Sequence, residues 1–149
     1  MEYQPVDDLK WSKASLRISS TTLQPSEIAE IIGLESTKTH TKGTLKNSRF
    51  TLVWPTSLWL LNSPLSDQNG MADHLRFLLD LLEPKMDALK QLFEKCQIDL
   101  FCGFSSGSGQ GGFELDPVTL LRLSKLGIPL VLDLYPPGPI EATENGPDQ

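Results

Sequence analysis

Polar and apolar residues alternate through Ser15-Leu16-Arg17-Ile18-Ser19, the two-residue period of a strand with one face buried. The period then changes. Pro25-Ser26-Glu27 opens a helix whose apolar positions are Ile28, Ile31 and Ile32, and Gly33 stops it. β-Branched and aromatic residues make Phe50-Thr51-Leu52-Val53-Trp54 a strand ended by Pro55, and Leu58-Trp59-Leu60-Leu61 continues as a second strand after a short turn. The strongest helix runs from Ala72 to Cys96. Leu75, Leu82, Leu89 and Cys96 recur every seven residues beside Leu79, Met86 and Phe93, and the stripe keeps its phase through Pro84. A proline there removes one backbone hydrogen bond and crowds the preceding turn, so a kink is expected without a change of face. Ile98 to Phe104 reads as a strand. Pro117 to Leu126 reads as a helix with Asp116 as N-cap and Gly127 as terminator. In the last strand, Leu130 to Tyr135, Leu130, Leu132 and Leu134 share one face while Val131, Asp133 and Tyr135 share the other.

The order is β-α-β-β-α-β-α-β. It predicts an α+β fold with a mixed or antiparallel sheet and helices packed mainly on one face; a ferredoxin-like βαββαβ core with an added αβ unit satisfies it. A weak echo links Leu23-Gln24-Pro25 and its glycine stop to Leu115-Asp116-Pro117 and its own, through shared helix punctuation or through duplication. Residues 1–12 are polar and carry Pro5, and read as a flexible arm. Residues 13–135 form one domain. Residues 136–149, with Pro136-Pro137-Gly138-Pro139 and then Glu141, Glu144 and Asp148, read as a disordered acidic tail.

A chain of 149 residues is long enough to fold around one core without disulfide or metal staples. Its 13 basic and 19 acidic side chains give a net charge of -6, which counts against nucleic acid and favours a basic partner. The first residues lack the basic and apolar regions of a secretory signal, and no apolar run approaches the length of a membrane span, so a cytoplasmic location is expected. Cys96 and Cys102 are expected to be buried as small hydrophobes. With only two histidines, no four-ligand zinc site of the usual kind assembles, and no metal or cofactor is expected.

Three literal motifs fall between Gly103 and Gly112. Gly107-x-Gly109-x-x-Gly112 follows a strand, with Asp133 at a plausible ribose spacing, but the helix opens only at Asp116-Pro117, too late to place its amides on a pyrophosphate. Gly103-x-Ser105-x-Gly107 matches a nucleophile elbow, yet no helix follows directly and both histidines lie upstream. A phosphate-binding P-loop lacks its Gly-Lys-Ser/Thr. The segment reads instead as a flexible glycine/serine loop. His74 is expected at the surface of the first turn of the long helix, and His40 in a polar loop. From Lys38 to Arg49 there are four basic residues and no acid, a segment suited to an anion or to a solvated connection.

Leu16-x-Ile18, Leu23-x-Pro25-x-x-Ile28-x-x-Ile31-Ile32-Gly33-Leu34, Lys42-Gly43 and Trp59-x-Leu61-x-Ser63 occur in that order. His74-Leu75, Leu78-Leu79-x-Leu81-Leu82-Glu83-Pro84-Lys85, Gly112-Phe113-x-Leu115-x-Pro117, the leucines up to Leu126-Gly127 and Asp133-x-Tyr135 follow. Together they resemble the bacterial family called domain of unknown function 4279, over about 15–135. Two departures stand out: Gly33-Leu34-Glu35-Ser36 lacks the proline frequent after the first helix, and the 105–112 loop is richer in glycine. The resemblance implies a small cytoplasmic bacterial protein with no assigned catalytic residue, and some such stand-alone domains are similar to immunity proteins. The candidate binding residues are its recurring positions Lys42, Gly43, Trp59, Asp133 and Tyr135, which would equally serve as a turn, a core aromatic and a strand-end hydrogen bond.

Two functions follow as expectations. One is a non-enzymatic protein-binding module, of immunity type, whose acidic surface blocks a basic protein such as a toxin. The other is a small-molecule-binding or enzymatic domain using the Asp133 and Tyr135 face, the 105–112 loop and the basic 38–49 loop. An enclosed pocket joining them would be its mark, and Asp133 would act as a base only if desolvated.

Overall fold

The alternation around Ser15–Ser19 extends in both directions to make a ten-residue strand, β1 (Trp11–Ser20), in which every even-numbered residue is buried. In the computed structural model, which describes residues 10–47 and 51–136, β1 is the middle of a five-stranded sheet. The other elements are α1 (Pro25–Ile32), β2 (Lys38–His40), β3 (Ser57–Asn62), α2 (Met71–Leu82), α3 (Met86–Phe93), β4 (Gln97–Ser105), α4 (Pro117–Leu126) and β5 (Leu130–Tyr135). The strands lie in the order β2-β3-β1-β4-β5. The first four are antiparallel, and β5 is added parallel to β4. Each of the first two crossovers therefore skips one strand: β1 and β2 flank β3, and β3 and β4 flank β1. That is the split βαβ pattern, with α4 and β5 as an appended unit.

Of the strand expected at 50–54, Phe50 lies outside the described residues, and 51–54 are not part of this sheet. Its place on the edge belongs to β2, where Lys38 pairs with Leu60 and His40 with Leu58. Val53 instead makes an isolated bridge to Leu45, and Gly43 and Trp54 close the turn through backbone hydrogen bonds of 2.8 Å (Gly43 to Trp54) and 2.9 Å (Trp54 to Thr44). The β-propensity of Leu52 and Val53 is thus met by a local hairpin whose apolar side chains stay exposed, not by the core. β2 carried no apolar signal because an edge strand exposed on both sides has nothing to bury. At the other end, Trp11 and Ser12 belong to β1, not to the arm assigned to 1–12; the rest of that arm up to residue 9 and the tail from 137 lie outside the described residues.

All the helices cover one face. Leu16 and Ile18 of β1, Trp59 of β3, and Leu100 and Cys102 of β4 meet Ile28, Ile32, Leu75, Leu79, Leu89 and Leu126 in a single core. Each fully buried leucine or isoleucine there contributes about 1.5–3 kcal/mol relative to exposure. The long helix is interrupted at Pro84 by a 3-10 turn over Glu83–Lys85, yet Leu82 before it and Leu89 after it are both wholly buried, so the apolar face persists through the break. Phe93, at the frayed end of the stripe, is exposed, and the helix ends there, short of Cys96. α1 and α4 both stop at a glycine in the left-handed region, Gly33 (φ 70°) and Gly127 (φ 75°).

Two burial expectations change, those for His74 and Cys96, while that for Cys102 holds. His74 is 1% exposed, because residues 63–70 fold over the start of α2 and bring Ser63 Oγ to 2.7 Å from its Nδ1. Cys102 is buried and its thiol is pushed up to about 12 by desolvation, which makes it unreactive. Cys96, expected to be buried, is only half-buried.

Candidate functional site

A concavity forms where β4 and β5 end. Parallel neighbours must be joined by a crossover, so the chain leaves β4 at Ser105, travels through 106–116, and returns through α4 to β5. Ligands of parallel units favour this carboxyl end, since the departing loops leave a crevice there. Here the crevice has a volume of about 390 Å³ and is lined by Phe104, Ser106, Phe113, Leu134, Tyr135 and the backbone of Gly109, Gly111 and Gly112.

The loop carries hydrogen bonds of its own. Gly109, at φ 77°, donates to Ser106 O at 3.1 Å. The hydroxyls of Ser106 and Ser108 both donate to the Gln110 carbonyl. Gly111 passes so close that a Cβ would stand 2.9 Å from that of Ser106 and 3.3 Å from the Phe104 ring. Phe113 then returns to Phe104 edge-on, at 5.5 Å between ring centres. Glycine is therefore needed at 111 for the loop to lie down on β4.

Neither nucleotide nor nucleophile chemistry fits this geometry. Ser105 is a buried strand residue paired between Trp11 and Tyr135, not the apex of an elbow. At the start of α4, Pro117 has no N–H to offer and Thr119 N is engaged by the helix's own cap, donating to Asp116 Oδ1 at 2.9 Å. That bond, with help from Arg76, holds the Asp116 carboxyl below its ordinary range. Among the described residues, no three metal-ligating side chains converge.

The five sequence-derived candidates do not gather in one place. Asp133 and Tyr135 lie on β5, on the sheet face opposite the described helices. Tyr135 lines the cleft and packs against Trp11 at 5.1 Å between centroids. Gly103 lies beneath them, where a Cβ would press on both rings. Lys42 and Gly43 belong to the opposite edge, four strand spacings or roughly 19 Å away. There Gly43 makes a turn at φ 82°, while the Lys42 amide donates to Ser57 Oγ at 3.0 Å and its ammonium to Thr21 O at 3.1 Å. Trp59 is a core residue with no exposure. A pocket joining Asp133, the 105–112 loop and the basic segment is thus ruled out by strand order, although Tyr135 and the loop do share one.

Sequence reasoning missed Trp11, Phe104 and Phe113. Continuing the period of β1 back from Ser15 would have placed Trp11 outward beside Lys13 and Arg17. Nothing local announces the pairing of Phe104 with Phe113, because it depends on the path of the loop between them.

A family model described as a domain of unknown function (DUF4279) matches residues 10–137. No curated protein and no solved structure matches the chain.

Proposed function

The chain belongs to the DUF4279 family, and we propose that this domain is a binding module whose cleft at the ends of β4 and β5 takes a small, uncharged, ring-bearing molecule. The observation that carries this reading is the cleft's lining. Phe104, Phe113, Leu134 and Tyr135 supply apolar walls, and Ser106 and the glycine backbone supply a few polar points. Small-molecule sites are built in this proportion and at this size. The lining is uncharged, so proton transfer within it would fall to Ser106 and Tyr135 alone, which supports binding over catalysis. Two free cysteines are compatible with a reducing compartment such as the cytoplasm. No helix of the described residues is long and apolar enough to cross a membrane.

Titration of phenol and of indole into ¹⁵N-labelled protein tests the reading. Saturable shifts should centre on Gly109, Gly111, Gly112 and Phe113, and Gly111→Val should abolish them. Shifts elsewhere, or unchanged binding in that variant, would overturn it.

A protein partner is the second reading, and a different observation supports it. β5 is an edge strand on which Leu132 and Leu134 stay exposed while α4 packs on α2, so an extended segment could add to the sheet there. The charge argument for an immunity-type inhibitor of a basic toxin is weaker than composition suggests. Six of the nineteen acidic side chains lie outside 10–136, where twelve basic residues face thirteen acidic ones among those described.

A further inference from the structure

We infer that the hairpin at the β2 edge docks this protein on an anionic membrane surface, its exposed apolar side chains entering the headgroup layer while its lysines meet the lipid phosphates. This surface lies at the opposite edge of the sheet from the cleft and does not rest on it.

The backbone sets what the hairpin displays. Leu45 and Val53 form its antiparallel bridge, and the flanking hydrogen bonds run from Lys46 N to Leu52 O at 3.0 Å and from Trp54 N to Thr44 O at 2.9 Å. Opposite residues of such a pair share a face and successive ones alternate, so Leu45 and Val53 lie on one face, and Lys46, Leu52 and Trp54 on the other. Leu45 is 59% exposed, Leu52 62% and Val53 47%, so water reaches both faces and the hairpin projects from the sheet. Its stem is fixed, as Trp54 stacks on His40 of β2 at 3.7 Å and the Lys42 amide donates to Ser57 Oγ. A single exposed leucine is unremarkable on a soluble protein, whereas three apolar side chains gathered on one projecting hairpin mark a contact surface.

Cations are interleaved with these side chains. Lys38, Lys42 and Lys46 are exposed, and the sequence holds no acid between Glu35 and Asp67. The Lys42 ammonium donates to the neutral Thr21 carbonyl, and that of Lys46 lies 5.0 Å from the Trp54 ring centre, interactions that leave both charges in place. The field is felt at His40, whose proton affinity is lowered by burial and then by Lys38 and Lys46. The net charge of -6 therefore does not describe this edge. The pairing of cations with exposed apolar groups selects the partner. A nucleic acid or a free phosphate would take the lysines and leave Leu45, Leu52 and Val53 in water. An anionic bilayer satisfies both, because apolar area and basic charge add in interfacial binding.

The test mixes the full chain with sucrose-loaded vesicles and measures the fraction sedimented, using phosphatidylcholine alone and with about 30% phosphatidylserine. Binding to the mixed vesicles should saturate, with half binding at lipid concentrations on the order of 1 mM, and should fall as salt rises. Pure phosphatidylcholine should bind about tenfold more weakly or less. Lys46→Ala should weaken binding about fivefold, and Lys42→Ala combined with it about 20–30-fold. Lys90→Ala on α3, an equal loss of charge elsewhere, should stay within about twofold of the parent. Leu45→Ser should weaken binding about fivefold and leave its salt dependence as it was. Leu52→Trp should gain fluorescence quenching, beyond the parent's, by lipid brominated on its acyl chains. All these positions are exposed, so the core is untouched. Gly111→Val, in the cleft, should bind vesicles like the parent. The inference fails if the mixed vesicles sediment no more protein than the neutral ones, if Lys90→Ala matters as much as Lys46→Ala, or if Leu45→Ser binds like the parent. It also fails if Leu52→Trp gains no quenching, or if polyglutamate binds as tightly as the vesicles and loses affinity with Leu45→Ser, which would give the hairpin to an acidic protein.

Discussion

The two faces of the sheet are made by the same strands and do opposite things. On the helix side of β1, Ala14, Leu16 and Ile18 are closed off almost completely. One residue away along the same backbone, Ser15 and Arg17 meet Asn62 and Asp99 through hydrogen bonds and remain partly wet. The closed face carries the folding free energy because it removes apolar area from water. The open face is held by polar pairs and ring contacts whose net contributions are each small, so its side chains are free to be selected for contact with something else.

That contrast is most sharply tested at Trp59. Trp59→Ala should cost about 3–5 kcal/mol in urea unfolding, the price of emptying a core site. A loss below about 1 kcal/mol would mean the closed face is not where stability resides. On the open face, Arg17→Ala leaves Asp99 without its bidentate partner in a partly buried setting, and about 1 kcal/mol is expected from the same measurement.

A smaller effect, readable through pH, is expected at the seam between the two faces, where His74 is buried. Desolvation lowers its proton affinity below the ordinary value of 6.5, with Asp73 and nearby backbone carbonyls only partly opposing it. The unfolded chain therefore takes up the proton first, and stability should decline as pH falls below 6.5 towards the folded value. His74→Gln should remove most of that slope. The remainder belongs to His40, whose proton affinity is also reduced, by burial and then by Lys38 and Lys46. An unchanged slope in His74→Gln would show that His74 is not the titrating group. The smallest change is expected at Lys42→Ala, within about 0.5 kcal/mol, because its ammonium bond to Thr21 O is solvent-exposed and its other contact is made by the backbone.

The same contrast explains what could be read beforehand. Period and punctuation located β1, β3, β4 and the described helices because each buries one side; they located β5 as well, although Leu132 and Leu134 of its expected apolar face stay exposed. Leu82 and Leu89 kept their phase across Pro84 for the same reason. β2 escaped because Lys38-Thr39-His40 buries little, and Leu52 and Val53 misled because they pair locally and stay exposed. The burial of His74 was invisible since it depends on Ser63 and the loop after it. At the candidate site, Tyr135 and the glycine loop were legible, whereas their separation from Lys42 and Gly43 follows only from strand order.

The position of β1 has a consequence for the chain as it is made. The first of the described strands is the central one, paired on one side with β3 and on the other with β4, where Trp11 meets Ser105. From Ser20 to Ser105 the ribosome needs roughly 4–17 s at ordinary elongation rates. Throughout that interval one edge of β1 has no partner, and its alternating apolar residues are available to wrong pairings as well as to the right one. β3 can close one side early, and α4 with β5 need only dock onto a sheet already formed. Closure of that edge of β1 waits for β4 to be available, so a pause before residue 97 would prolong the vulnerable state.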